Sequence, residues 1–196
     1  QRNSALKNAQ ATGRKPDLDM WDMQIAASAS YLVKKRLETT EKMNKTVPAM
    51  EEQLTGSKES LAIRYIQQGS SSPRYDMEWF LVQLSQRREE DARFCHTSIG
   101  PHRDDLRFLL NGLDISAYGS QGQQRTAILS MKLSEMEFIR EETGEYPVLL
   151  LDDIGSELDR ERREALLSFL KKQEIQTLVT GTETMFEGGK VVEMGE

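Results

Sequence analysis

The most chemically suggestive residues are two adjacent carboxylates, Asp152 and Asp153, which close the apolar run Val148-Leu149-Leu150-Leu151. Four apolar residues in succession predict a strand buried inside a sheet, and the C-terminal end of such a strand is where open α/β sheets bind ligands. One aspartate there can hold a hard cation through oxygen or water. The other can orient or deprotonate an attacking water. A plain strand-terminal turn, with Asp153 capping the next helix, fits the same pair. The residues that follow sharpen the choice: Gly155, Ser156, Glu157 and Leu158 make a short loop, and Asp159 stands where it can cap a helix.

About 30 residues upstream lies Ser120-Gln121-Gly122-Gln123-Gln124-Arg125. Ser120 with Gln123 fits a capping box, so a helix is expected to start here. Its first turn exposes backbone N–H groups and the positive end of the helix dipole, and Gly122 lets a ligand come close. The turn can therefore cradle a phosphate, although an ordinary capped helix explains this hexapeptide alone. The combination is more specific than its parts. A Ser-x-Gly-Gln helix start, then an acidic strand end, then Ser156 to Asp159, resembles the signature motif, Walker B motif and D-loop of the ABC-type ATPases.

These groups need elements to hold them. Residues 1 to about 54 read as helical, with Leu18, Trp21, Ile25, Ala29, Leu32 and Val33 forming one apolar stripe. Pro48 is expected to open a new helix after a short break. Residues 61–66 form a candidate strand, and Met77 to Arg93 one helix whose Arg87-to-Asp91 run is solvated. Leu106 to Leu110 reads as a strand entering an Asn111-Gly112 hairpin turn. A helix is expected from about Gln121 to Glu141, and another over roughly 160–172. Residues 176–180 make a second buried strand and 190–193 a short final one. The expectation is an α/β fold with a mostly helical lobe over 1–95 and an α/β part over 96–196.

Several further strings point to one family. Thr97 to Asp105 (Thr-Ser-Ile-Gly-Pro-His-Arg-Asp-Asp), Asn111-Gly112, Ser120 to Arg125, and Glu141 to Pro147 ahead of the acidic strand resemble the RecF family. Asp19-Met20-Trp21-Asp22 and the helix carrying Lys34 to Glu38 are similar to that family's helical lobe. The resemblance covers nearly the whole chain and is strongest over 97–180. It implies part of an ABC-type ATPase head, with signature helix, Walker B strand and D-loop, and an attached mostly helical lobe. ATP and Mg2+ are then the cofactors. Asp152 matches the Mg2+-associated aspartate and Asp153 the catalytic carboxylate. Ser120, Gln121, Gly122 and Gln123 belong to the signature loop facing nucleotide on a second protomer. Ser156 and Asp159 belong to the D-loop, and Thr180 is a candidate for the γ-phosphate or water. The implied partners are gapped or junction DNA, a second copy of the chain and a RecR-type mediator protein.

Two departures from the pattern are plain. No Gly-x-x-x-x-Gly-Lys-Ser/Thr occurs, the only Gly-Lys being Gly189-Lys190 followed by Val191, so no phosphate-binding loop is present. Gly181 stands where a switch histidine is expected. Because the chain opens without methionine inside a helical pattern, an N-terminal half is expected elsewhere, and this chain alone should not hydrolyse ATP.

Composition agrees. With 37% hydrophobic and 30% charged residues the chain is globular, and its net charge of −6 excludes a wholly cationic DNA glove. No apolar run approaches a membrane span, no signal peptide opens the chain, and Cys95 is the single cysteine, so cytoplasm is expected. Lys34, Lys35 and Arg36 could touch phosphate or lie on a solvated helix face. His102 and Arg103 could serve nucleotide coupling or a hydrogen-bonded turn, and Trp21 and Trp79 read as core. Two rivals from other classes remain: a phosphate-acceptor signalling domain, disfavoured because the acidic strand comes late, and a non-catalytic interaction module derived from an ATPase.

Overall fold

The computed structural model describes residues 1–57, 59–152, 158–181 and 190. The chain divides into two compact units. The first comprises Gln1–Glu41 and Ile63–Arg107, the second Lys42–Ala62 and Phe108–Glu196.

In the first unit α1 (Arg2–Thr12) precedes α2 (Asp19–Thr55), of which residues 19–41 belong here. Ala26, Ala29 and Val33 recur at helical spacing on α2 and pack with Tyr65 of β1 (Leu61–Ile66), Phe80 and Leu84 of α3 (Met77–Gln86), and Ile99. Trp79, partly buried, packs against the same cluster, edge-on to Phe80. Leu32, expected on the apolar stripe, is exposed instead. Asp76 starts α3 by accepting the Trp79 N–H, 2.9 Å away.

The single helix expected to run on to Arg93 is broken at Arg87, and α4 (Arg88–Phe94) follows as a separate helix. Long-range ion pairing accounts for this. Asp91 of α4 is fully buried, accepting Arg2 Nη1 at 2.6 Å and the Ser98 N–H at 2.9 Å. Arg2 also donates Nε to Asp22 at 2.7 Å, and Arg88 reaches Asp19 and Asp22. The Arg87-to-Asp91 run is thus only partly solvated. Buried charges persist where they are paired, as here.

β2 (Asp105–Leu110) enters the second unit at Phe108 and turns through Asn111 and Gly112, both at positive φ (51° and 83°), into β3 (Leu113–Asp114). Antiparallel pairing sets Leu110 opposite Leu113. A two-residue turn of this hand matches the twist of the strands it joins. β1, β2 and β3 form one sheet in that order. The short α5 (Ile115–Tyr118) leads into α6 (Gln121–Thr143). Then β4 (Leu149–Leu151), α7 (Arg160–Lys172) and β5 (Thr177–Val179) make a β-α-β unit, with Leu150 opposite Leu178 in parallel register.

The core of this unit joins Leu54 of α2, Leu129, Leu133 and Met136 of α6, both outer leucines of β4, and Leu166, Phe169 and Leu170 of α7. It also explains Pro48. An internal proline costs a helix about 3 kcal/mol, yet α2 runs through it, with Val47 and Leu54 buried on either side.

The β4 run was expected to be buried on both faces. Instead only alternate residues are covered: Leu150 is 71% exposed, Leu178 59% and Val148 50%. One face of the β4–β5 pair carries a bare apolar strip on the described residues.

Candidate functional site

Because β4 and β5 are parallel, their C-terminal ends lie side by side, and each is followed at once by a polar residue. The Thr180 N–H continues the ladder to the Leu151 carbonyl at 2.9 Å. Its hydroxyl then donates a short hydrogen bond to the Asp152 carboxylate. Asp152 is exposed, so its charge faces solvent rather than the core. Among the described residues no group of three or more His, Cys, Asp or Glu is gathered as a metal cage. A strand-end carboxylate suits Mg2+, which keeps several waters and takes one or two protein carboxylates plus phosphate oxygens. Asp153 and Ser156 lie outside the described residues, as does the 191–193 part of the expected last strand.

The second group is built at the start of α6. The Ser120 hydroxyl accepts the Gln123 N–H at 3.2 Å, and the Gln123 side-chain oxygen accepts the Ser120 N–H at 3.0 Å. The capping box is complete. Gln121 is exposed at the first helical position. Two supports were not anticipated. Gln124 donates Nε2 to the Ile115 and Gly119 carbonyls, both at 3.2 Å, tying the helix to α5. A Cβ on Gly119 would lie 2.6 Å from the Ile115 carbonyl oxygen, so only glycine fits before the cap.

Asp159 caps α7. Its Oδ1 accepts the Arg162 N–H at 2.9 Å and its Oδ2 the Arg162 Nη1 at 2.7 Å. That guanidinium extends to α6, where a Cβ on Gly122 would lie 3.3 Å from Nη1. The structure thus gathers the candidates into two sets, Asp152 with Thr180, and Ser120, Gly122 and Gln123 with Asp159.

Deeper along α6, Ser130 donates to Glu51 Oε2 at 2.6 Å. Glu51 is 1% exposed and its Oε1 is unpartnered. Burial pushes this carboxyl above its ordinary value, with the Ser130 hydrogen bond and the nearby Arg162 charge pulling the other way. At the far end of α6, Lys42 pairs with Glu142 at 2.5 Å, and Tyr146 donates a short hydrogen bond to Glu137. Burial and that carboxylate push the Tyr146 hydroxyl up to about 12.

In the first unit, Arg36 is spent on the Pro101 carbonyl, 2.5 Å away, and Lys35 on Glu38 at 2.9 Å. His102 lies with Nε2 3.1 Å from the Thr97 carbonyl oxygen, and the Arg103 N–H reaches the Gly100 carbonyl at 2.9 Å. This run is a hydrogen-bonded turn.

No family model matches the chain. It is 40% identical over 193 residues to "DNA replication and repair protein RecF" of Halothermothrix orenii, covering 93% of this chain and 50% of that protein. It is 39% identical over 186 residues to the protein of the same name from Agathobacter rectalis, with coverage of 93% and 48%. Among solved structures, that of the recombination mediator protein RecF with ATP superposes with a TM-score of 0.79 at 36% identity, over 95% of this chain and 50% of the other. A second, described as RecF-ATPrS, gives 0.78 at 33% identity, over 96% and 51%. The chain spans about half the length of the curated relatives it matches.

Proposed function

Over nearly its whole length this chain is a RecF-family sequence with the fold of part of an ABC-type ATPase head, and we propose that it supplies half of a shared ATP site in a DNA-repair ATPase. The observation that carries this reading is Asp152 and Thr180 side by side at the C-terminal ends of parallel strands. In this reading Asp152 would hold Mg2+, which would offset the charge of the nucleotide phosphates, and Asp153 would take the proton of the attacking water. Thr180 orients Asp152 and contributes a hydroxyl to the phosphate or water. Ser120, Gln121, Gly122 and Gln123 offer the α6 N-terminus to the γ-phosphate bound on a second copy, and Ser156 and Asp159 reach across the same interface.

The phosphate-loop part belongs to a portion of the protein outside this sequence, so the chain alone is inactive. The strip of Val148, Leu150 and Leu178, exposed on the described residues, supports that view as an apolar face that another layer can cover. ATP supplies the charge that bridges the two copies, and its loss on hydrolysis lets them part. The closed dimer then grips gapped or junction DNA in the cytoplasm and hands over to a RecR-type mediator during recombinase loading. That such proteins bind ATP is supported by the solved relatives.

The test is ATP turnover per chain by the full-length gene product on gapped DNA across a range of protein concentrations. A per-chain rate that rises with concentration is expected. A flat rate from a species that sizes as a monomer would overturn the shared site.

A further inference from the structure

Arg162 is unusual among the basic residues that open α7. A cation near a helix N-terminus opposes the dipole, so a local reason is needed for each. Arg160 has one within its own helix: it pairs with Glu164 at 2.8 Å and its side chain is 86% exposed. The Arg162 side chain is 27% exposed, grips the N-cap Asp159 and comes close to the first turn of α6 at Gly122.

Gly122 is what makes room for that approach. It is helical, at no positive φ, so its backbone conformation does not call for glycine. Inside a helix glycine costs about 1 kcal/mol relative to alanine. What it provides is clearance, since a Cβ there would sit 3.3 Å from Arg162 Nη1 and 4.0 Å from Ser120 Oγ. A planar guanidinium can hold Asp159 with one edge and lie flat against a bare backbone turn, which a lysine ammonium cannot reproduce.

Resting on the shared-site reading, we propose that Arg162 is a positioning residue that fastens the Leu158-Asp159 turn to the Ser120–Gln123 turn, so that both segments meet the second copy as one preformed surface. Neither segment then needs ordering when the copies meet, which lowers the ATP concentration needed to join them. Arg162 acts through these turns.

The test uses the full-length protein and follows dimer fraction against ATP concentration by light scattering, beside ATP affinity of the monomer and nucleotide-free melting. Arg162→Met should raise the ATP concentration for half-dimerisation by about tenfold, the scale of one lost charge-assisted hydrogen bond. Monomer affinity and melting should stay as in the parent. Arg162→Lys should recover part of the loss. Gly122→Ala should shift the same curve by displacing the guanidinium, and should add little on top of Arg162→Met. Half-dimerisation of Arg162→Met at the parent's ATP concentration would overturn the inference. So would a defect that tracks lowered melting and weaker monomer binding, or full additivity with Gly122→Ala. A parent that never dimerises with ATP is a different result: it sinks the shared site itself and takes this inference with it.

Discussion

In the first unit three charges meet inside, whereas the second leaves Asp152 at an open strand end and its apolar surface partly bare. Arg2, Asp22 and Asp91 are all at least 97% buried, and Arg2 joins the two carboxylates across three helices through Nε and Nη1. Asp152, by contrast, is exposed beside Thr180, and Leu150 and Leu178 stand uncovered on one face of β4–β5. Both units contain aspartates in a strongly structured setting, yet only one setting leaves a carboxylate available to an ion. Burial with a partner turns an acid into a fastening. Exposure at a strand end leaves it free for ligand chemistry.

The hardest way to break the comparison is to remove the central cation of the first unit. Arg2→Ala leaves the buried Asp91 carboxylate without its cation, while Asp22 keeps only Arg88, and should cost about 3 kcal/mol of stability in urea unfolding of the full-length protein. A loss under about 1 kcal/mol would mean that the network is not holding the helices together. Next in size is a charge on the bare strip. If the rest of a RecF-family protein covers β4–β5, Leu150→Asp should cost about 3 kcal/mol in the full-length protein. An unchanged melt would mean that the strip stays open to solvent there too.

What the sequence discloses and what it hides follows the reach of each interaction. The Asn111-Gly112 hairpin, the Ser120–Gln123 capping box and the Asp159 cap depend on residues one to three apart, so local chemistry reveals them. The break at Arg87 and the burial of Asp91 depend on Arg2, 89 residues away. The Ser130–Glu51 bond joins residues 79 apart, and nothing in either neighbourhood announces it. Pro48 misled because proline is a local stop signal, while the burial that carries the helix through it is tertiary. The apolar run at 148–151 correctly signalled a sheet strand, yet among the described residues only one of its faces is covered. Gly122 was legible as a site of close approach; that Arg162 is one of the groups approaching it was not.

Glu51 gives a prediction that pH can read. Its folded carboxyl is raised above the ordinary 4.5, so an unfolded chain surrenders this proton first as pH rises. Glu51 therefore favours the fold least above its folded value. Between the two values it erodes stability with a slope of at most about 1.4 kcal/mol per pH unit. Glu51→Gln abolishes that slope, so the variant should gain on the parent as pH climbs from 4.5 toward neutrality. Parallel stability curves across that window would show that the carboxyl is not held protonated beneath α6.

The smallest effect on folding belongs to the residue with the largest expected role in chemistry. Asp152 is exposed, and its one described side-chain partner, the Thr180 hydroxyl, is itself exposed. An amide at that position can still accept from Thr180, so Asp152→Asn should change unfolding free energy by no more than about 0.5 kcal/mol. Losing the charge removes the proposed hard-cation ligand, however, so Mg2+-dependent ATP binding by the full-length protein should fall steeply while Mg2+-independent binding changes little. Titration of nucleotide with and without Mg2+, beside a urea melt of the same sample, separates the two. Should Asp152→Asn unfold like Arg2→Ala, the contrast between fastening and ligand-binding acids would collapse. Should it fold normally and bind Mg2+-ATP like the parent, the contrast would stand but the cation would have to be held by a different residue.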